Sequence, residues 1–260
     1  MLSIRDLHVS YGSMKVLDGI NMDIIDEKIA IIGPNGSGKT TLLKSIAGLI
    51  SDFSGDIMYE GRSIKKSDGM PGLGVNLPEV FRILDSDARV LTRIYAQAVS
   101  VGWDRIMHDM ARFGLEGAMD RKIREMSEGQ RKIFCNIMAL NLGYRIALLD
   151  EPFESLDQRS KGLLAEIIDD RLESVMIITH EMSMLRRIRS LRLFFMFNGR
   201  LFGSAPADLI EELYVDPDPH GRVLFQIDLG KRTFYVKIGS GKVKLSTAGS
   251  MDLLSEAIYD

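Results

Sequence analysis

A chain of 260 residues can bury a full core, and its length suits one ordinary domain with an appendage. With 45% hydrophobic and 27% charged residues it has the balance of a folded globular protein, which excludes the disordered and fibrous classes. A formal charge of -3 speaks against nucleic acid as a partner, because gripping a phosphate backbone calls for a basic surplus on some face.

The first ten residues carry Arg5 and Asp6 among apolar neighbours, so no secretory signal is expected. The most apolar runs, Ile29 to Ile32, Ala147 to Leu149, Val175 to Ile178 and Leu193 to Phe197, are too short to span a bilayer and suit buried strands. The single cysteine, Cys135, has no partner for an internal disulfide, which fits a reducing compartment, and it reads as a core residue of a helix.

In chain order, Leu2 to Val9 alternates apolar and polar residues, and a second such run, Val16 to Ile24, follows Tyr11-Gly12-Ser13; an antiparallel pair is expected. The run Ile29 to Ile32 then ends at a glycine-rich loop and feeds Thr40 to Leu49, which has helical spacing. From about residue 80 to 142 the pattern is mostly helical, with candidates at Ser86 to Val101, Trp103 to Phe113 and Ser127 to Leu142, the last closed by Gly143. Strand runs at Ile146 to Leu149 and Val175 to Thr179 flank a helix near Gln158 to Arg171, the alternation of a mostly parallel sheet. Past the linker-like Asp216-Pro217-Asp218-Pro219, three short strands (Val223 to Leu229, Phe234 to Ile238, Val243 to Leu245) and a final helix, Met251 to Tyr259, form a small subdomain. The fold class is therefore α/β: a phosphate-binding core with an antiparallel β subdomain, a helical insertion and a β-rich C-terminal piece. The expected division is residues 1–215 and 216–260.

Gly33-Pro34-Asn35-Gly36-Ser37-Gly38-Lys39-Thr40 matches G-x-x-x-x-G-K-[ST] between an apolar strand and a helix. Glycines let the backbone N–H groups close on phosphate oxygens, Lys39 brings positive charge to them, and the Thr40 hydroxyl is placed to ligate Mg²⁺. Leu148-Leu149-Asp150-Glu151 delivers two carboxylates at the C-terminal end of a strand, where α/β proteins bind ligands. In that setting Asp150 helps hold Mg²⁺ and Glu151 orients or deprotonates an attacking water. Met126-Ser127-Glu128-Gly129-Gln130 opens a helix shortly before that strand, with Ser127 as a suitable N-cap.

These motifs, with Ser155-Leu156-Asp157 and His180, stand in the order and approximate spacing of the ATP-binding cassette family, and the resemblance covers residues 1 to about 215. It implies a P-loop ATPase in which two copies, alike or paired with a second such ATPase, pack head to tail around two ATP molecules. The resemblance assigns the phosphates to residues 33–40 with Thr41, and adenine to Tyr11. It assigns the partner copy's nucleotide to Ser127, Glu128, Gly129 and Gln130, the link between sites to Asp157, and the γ-phosphate contact to His180. Where the family usually carries a Mg²⁺-sensing glutamine, this chain has Glu79, a further candidate metal ligand. Leu77-Pro78-Glu79 and the C-terminal piece look like the subgroup serving ABC-2-type exporters. The implied setting is the cytoplasmic face of a membrane beside integral permease subunits. Two alternatives are an ABC ATPase acting on a soluble macromolecule and a P-loop small-molecule kinase.

Overall fold

The structure, a computed structural model, describes residues 1–66, 72–81, 85–141, 145–230 and 232–247. The expected helix Met251 to Tyr259, Leu142 and the Gly143 cap lie outside the described residues. The chain divides into two units, residues 1–70 with 178–260, and residues 71–177.

In the first unit, β1 (Leu2–Tyr11) and β2 (Met14–Ile24) form the expected antiparallel pair, running from Leu2 opposite Ile24 to Tyr11 opposite Met14. β3 (Lys28–Ile32) is buried at Ile29, Ala30, Ile31 and Ile32, as a continuous apolar run requires of a strand covered on both faces. α1 (Lys39–Ile46) is shorter than its helical spacing suggests. Gly48 takes a φ of 71°, Leu49 N–H donates to Lys44 O and Gly48 N–H to Ser45 O, a Schellman closure that stops the helix. β4 (Ser54–Tyr59) and β5 (Arg62–Ser63), which no alternation announced, complete a sheet of order β2-β1-β4-β5.

The second unit holds β6 (Leu73–Val75), α2 (Pro78–Phe81), α3 (Ala88–Ala98), α4 (Trp103–Arg112), α5 (Glu128–Asn141), β7 (Ile146–Asp150), α6 (Gln158–Arg171) and β8 (Ser174–Ile178). β8, β7 and β6 lie side by side in that order, β6 and β7 parallel from Leu73 opposite Ile146 to Val75 opposite Leu148. Phe81 meets Tyr95 and Phe134 edge to face at centroid distances of 5.6 and 5.8 Å, joining α2 to α3 and α5. α4, α5 and α6 share a polar latch: fully buried Asp109 accepts from the Arg171 guanidinium and from Asn141 Nδ2 at 2.8 Å. Removing Arg171 would leave the buried Asp109 carboxylate with Asn141 and the more distant Arg112 at 3.8 Å, a loss of stability of up to about 3 kcal/mol.

The chain returns to the first unit with α7 (Met182–Leu185), β9 (Leu191–Phe197), β10 (Arg200–Pro206), β11 (Leu213–Asp216), β12 (Arg222–Asp228), β13 (Thr233–Ile238) and β14 (Val243–Lys244). β9 runs parallel to β3 and antiparallel to β10. The three expected C-terminal strands are joined by β11 in a sheet of order β12-β13-β11-β14. That sheet is tied to β10 and β9: the Phe225 ring stands 5.3 Å from the ring of fully buried Phe195 and lies directly over Gly203, where a Cβ would fall 2.3 Å from it.

Candidate functional site

The phosphate loop leaves β3 and enters α1 through Gly36 at φ 79° and Gly38, the N-cap, at φ 104°. Both are in the left-handed region that side chains resist. Gly33 is needed for a different reason: a Cβ there would come within 2.2 Å of the Met196 carbonyl on β9. Gly199 N–H donates to Ser37 O at 3.0 Å, so the β9–β10 turn braces the loop from behind. Lys39 is buried, and its ammonium donates to the Gly33 and Pro34 carbonyls at 2.8 and 2.9 Å, spanning the loop from end to end. The Ser37 hydroxyl is buried with no hydrogen-bond partner among the described residues. A buried, unpartnered donor beside a helix start with its own unsatisfied N–H groups fits an anionic ligand such as a phosphate. Thr40 is exposed in the first helical turn, Thr41 follows half-buried, and Pro34 is buried behind exposed Asn35. Tyr11 stands 52% exposed at the hairpin end of β1, in the same unit as the loop.

The second unit carries the carboxylates. β7 ends at half-buried Asp150, and Glu151 follows with a φ of 44°, a left-handed backbone that a residue with a side chain rarely adopts. Two buried amides hold it there. Asn76 Oδ1 accepts the Asp150 N–H at 2.7 Å, and Asn76 Nδ2 donates to Asp150 O at 3.1 Å and to Asn136 Oδ1 at 2.7 Å. Asn136 Nδ2 donates in turn to Pro152 O at 2.8 Å. Lys132 Nζ reaches Asp150 O at 3.4 Å. Asn76 and Asn136 escaped the sequence reading; an asparagine on the apolar side of α5, whose neighbours Cys135 and Ile137 are fully buried, was the available signal.

In that same unit Ser127 caps α5 through a capping box: Gln130 N–H donates to Ser127 Oγ at 3.3 Å, and Ser127 N–H to Gln130 Oε1 at 3.1 Å. Gly129 is hemmed in, since a Cβ there would lie 2.9 Å from Ser155 O. Glu128 accepts the Ser155 hydroxyl at 2.6 Å, so two motifs far apart in sequence are tied together. Asp157 caps α6, accepting Ser160 N–H at 2.8 Å and its hydroxyl at 3.1 Å. Those bonds from Ser160, the backbone one first, hold the Asp157 carboxyl below the usual carboxylate range. Glu79 is exposed on the short α2, two residues after Leu77. His180 belongs to the first unit, exposed just past β8, where the buried Thr179 Oγ1 accepts Glu181 N–H at 3.0 Å.

A glycine loop of this shape at a strand-to-helix turn marks the class of nucleoside-triphosphate-binding α/β proteins. The particular family follows from comparison with known proteins. The profile of the ABC transporter family matches residues 17–154, a span longer than half the chain, and the chain belongs to that family. It is 29% identical over 217 residues to the lantibiotic transport ATP-binding protein SrtF of Streptococcus pyogenes, covering 82% of this chain and 94% of that protein. Over 213 residues it is 30% identical to the biotin transport ATP-binding protein BioM of Rhizobium etli, covering 76% and 91%. Among solved structures, one described provisionally as a cobalt transport ATP-binding protein (cbiO-2) superposes with a TM-score of 0.91 at 26% identity, over 98% of this chain and 99% of that one. The chain is thus an ATP-binding subunit of the ABC transporter class and an ATPase. No described helix is long and apolar enough to cross a membrane.

Proposed function

We propose that the chain is one half of a two-site ATP-driven clamp that powers translocation through separate membrane subunits, in the direction of export. One observation carries the clamp: the two motif-bearing helix starts, the phosphate loop on α1 and the capped start of α5, belong to different units of the chain. In a head-to-tail pair of cassettes each ATP takes one start from each copy. The residues 33–41 wrap the phosphates, with Lys39 moving its ammonium from the loop carbonyls to phosphate oxygens, and Tyr11 stacks on adenine. Ser127, Glu128, Gly129 and Gln130 of the other copy close the site, and Asp157 links the two.

Thr40 and Asp150 supply the hydroxyl and carboxylate oxygens that suit Mg²⁺, with Glu79 as a third donor, and no cluster of three or more His, Cys, Asp or Glu competes for a metal among the described residues. When bound, the ion neutralises charge on the β and γ phosphates. Glu151 accepts a proton from water, the water oxygen bonds to the γ-phosphorus, and the bond to the bridging oxygen breaks, leaving ADP and phosphate. His180 hydrogen-bonds the γ-phosphate and steadies that water.

The working division is a cassette over 1–215, with its helical insertion at about 80–142, and an appended piece over 216–260. Membrane permeases would dock near Glu79 and the insertion, which sets the chain at the cytoplasmic face. The direction rests on Leu77-Pro78-Glu79 and the appended piece; the names of the relatives, lantibiotic transport and biotin transport, do not decide it. The test is affinity purification from detergent-solubilised host membranes, with turnover measured against protein concentration. A co-purifying multi-span protein and a specific activity that rises with concentration are expected. Soluble partners alone, or a concentration-independent rate from a verified monomer, would sink the proposal.

A further inference from the structure

We propose that Asn76 and Asn136 are positioning residues for Glu151: through hydrogen bonds to the backbone on both sides of it, they hold its left-handed conformation and so aim its carboxylate. The inference rests on the assignment of Glu151 as the group that activates water, and it adds residues to which neither the motifs nor the relatives assign a task.

Asn76 is 2% exposed and Asn136 is fully buried. An amide taken from water into an apolar interior is unfavourable unless its atoms find partners. Here the two amides partner each other and three backbone atoms. The Asp150 N–H fixes which end of the Asn76 amide is the oxygen, so its nitrogen is left to bond Asp150 O and Asn136 Oδ1. Asn136 then spends its own nitrogen on Pro152 O.

The place of those backbone atoms matters more than their number. β7 stops at Asp150, so the peptide groups beyond it have left the β ladder that would have fixed them. Glu151 adopts a φ of 44°, a strained conformation that persists only when its surroundings impose it. The amides supply that constraint immediately before the residue, at Asp150, and immediately after it, at Pro152. If the turn relaxed to an ordinary φ, the Glu151 side chain would swing away from its line even with its chemistry intact. Asn76 has a second attachment: its own N–H donates to Leu148 O at 3.2 Å, and Leu77 leads directly into α2 and Glu79. The segment bearing Glu79 and the turn bearing Glu151 are therefore joined through one buried side chain.

The experiment compares four full-length proteins: wild type, N76L/N136L, E151Q and the triple variant. Each is assayed for kcat at saturating Mg-ATP and for affinity toward a fluorescent ATP analogue. The leucines keep the volume and remove the bonds. We expect N76L/N136L to lose about 10–100-fold in kcat, the scale set by a misplacement of about 1 Å, with analogue affinity within about threefold of wild type. In the E151Q background the same two changes should cost nothing further, because they act through Glu151. An unchanged kcat in N76L/N136L overturns the proposal, and so does a full further loss in the triple variant, which would mark general structural damage. Should N76L/N136L fail to melt cooperatively, N136A carries the test alone: it must lower kcat at unchanged analogue affinity, and a normal kcat overturns the proposal. Near-normal turnover by E151Q would instead defeat the assignment of Glu151 itself, an outcome separable from the others.

Discussion

The phosphate loop and the carboxylate turn both follow a strand and both bend the chain through a left-handed residue, yet they hold their shapes by different means. The loop is shaped mainly by its own residues, Gly36 and Gly38 permitting its φ angles and Lys39 bonding the carbonyls of Gly33 and Pro34 a few residues back, with the β9–β10 turn bracing it from behind. The turn is fixed from without, by Asn76 on the segment after β6 and Asn136 on α5. A local device can be read as a motif, whereas a device assembled from distant side chains is visible only once the chain has folded.

Predictions follow from that contrast, and the largest effect belongs to the turn. E151Q should retain ATP binding and lose about 10²–10³-fold in kcat, since a neutral amide cannot take a proton; single-turnover and binding assays on one preparation check both halves. Next is G33A. The added Cβ would meet the Met196 carbonyl at 2.2 Å, so the loop must shift, and we expect about 2–3 kcal/mol of lost stability in urea unfolding together with weakened ATP binding. If G33A bound ATP normally, the loop would not owe its shape to close packing on β9.

S37A separates ligand from fold. Because the Ser37 hydroxyl is buried and has no hydrogen-bond partner among the described residues, its removal should leave the melting temperature of the free protein unchanged or slightly higher. ATP affinity should fall by about 1 kcal/mol, readable by calorimetry. A drop in free-protein stability with unaltered affinity would assign Ser37 to the fold and not to the phosphates.

The smallest effect concerns the brace behind the loop. Asp18 N–H bonds Gly199 O at 2.9 Å, and its carboxylate accepts from Arg200 at 2.8 and 3.0 Å and from Lys15 at 3.0 Å. These bonds, from Arg200 first, hold its pKa down to about 2. A depressed carboxylate stabilises the fold above its unfolded value of about 3.9, and the benefit is lost as the pH falls from there toward 2. D18N should therefore be less stable than wild type by up to about 1 kcal/mol at pH 7, the partly exposed site keeping the effect small. The two should converge near pH 2, which thermal melts across that range would reveal; a constant gap would mean the effect is not ionic.

The same contrast explains what the sequence disclosed. Residues 33–40, β3, β7, β8 and α6 announced themselves through a contiguous motif or an apolar run, and the strand-loop-helix unit lies where those signals put it. α1 ends before its apolar spacing does, because Leu49 continues that spacing while Gly48, in left-handed geometry, has already stopped the helix. α3 begins two residues later than its pattern, at Ala88, because Asp87 is in extended backbone and forms a β-bridge with Lys122. β4 and β6 gave no signal, since their alternation is too short to stand apart from the loops around them. Asn76 stood within a segment singled out for Glu79, and nothing local distinguished it.

The packing of Phe225 over Gly203 constrains how this chain could have changed over time. Any residue larger than glycine at position 203 collides with a ring belonging to another sheet and must also take a left-handed φ of 46°, so altering position 225 alone would not free the site. Losing the ring at position 225 would carry its own cost, because it leaves a hollow beside Phe195. The seam therefore resists substitution from either side.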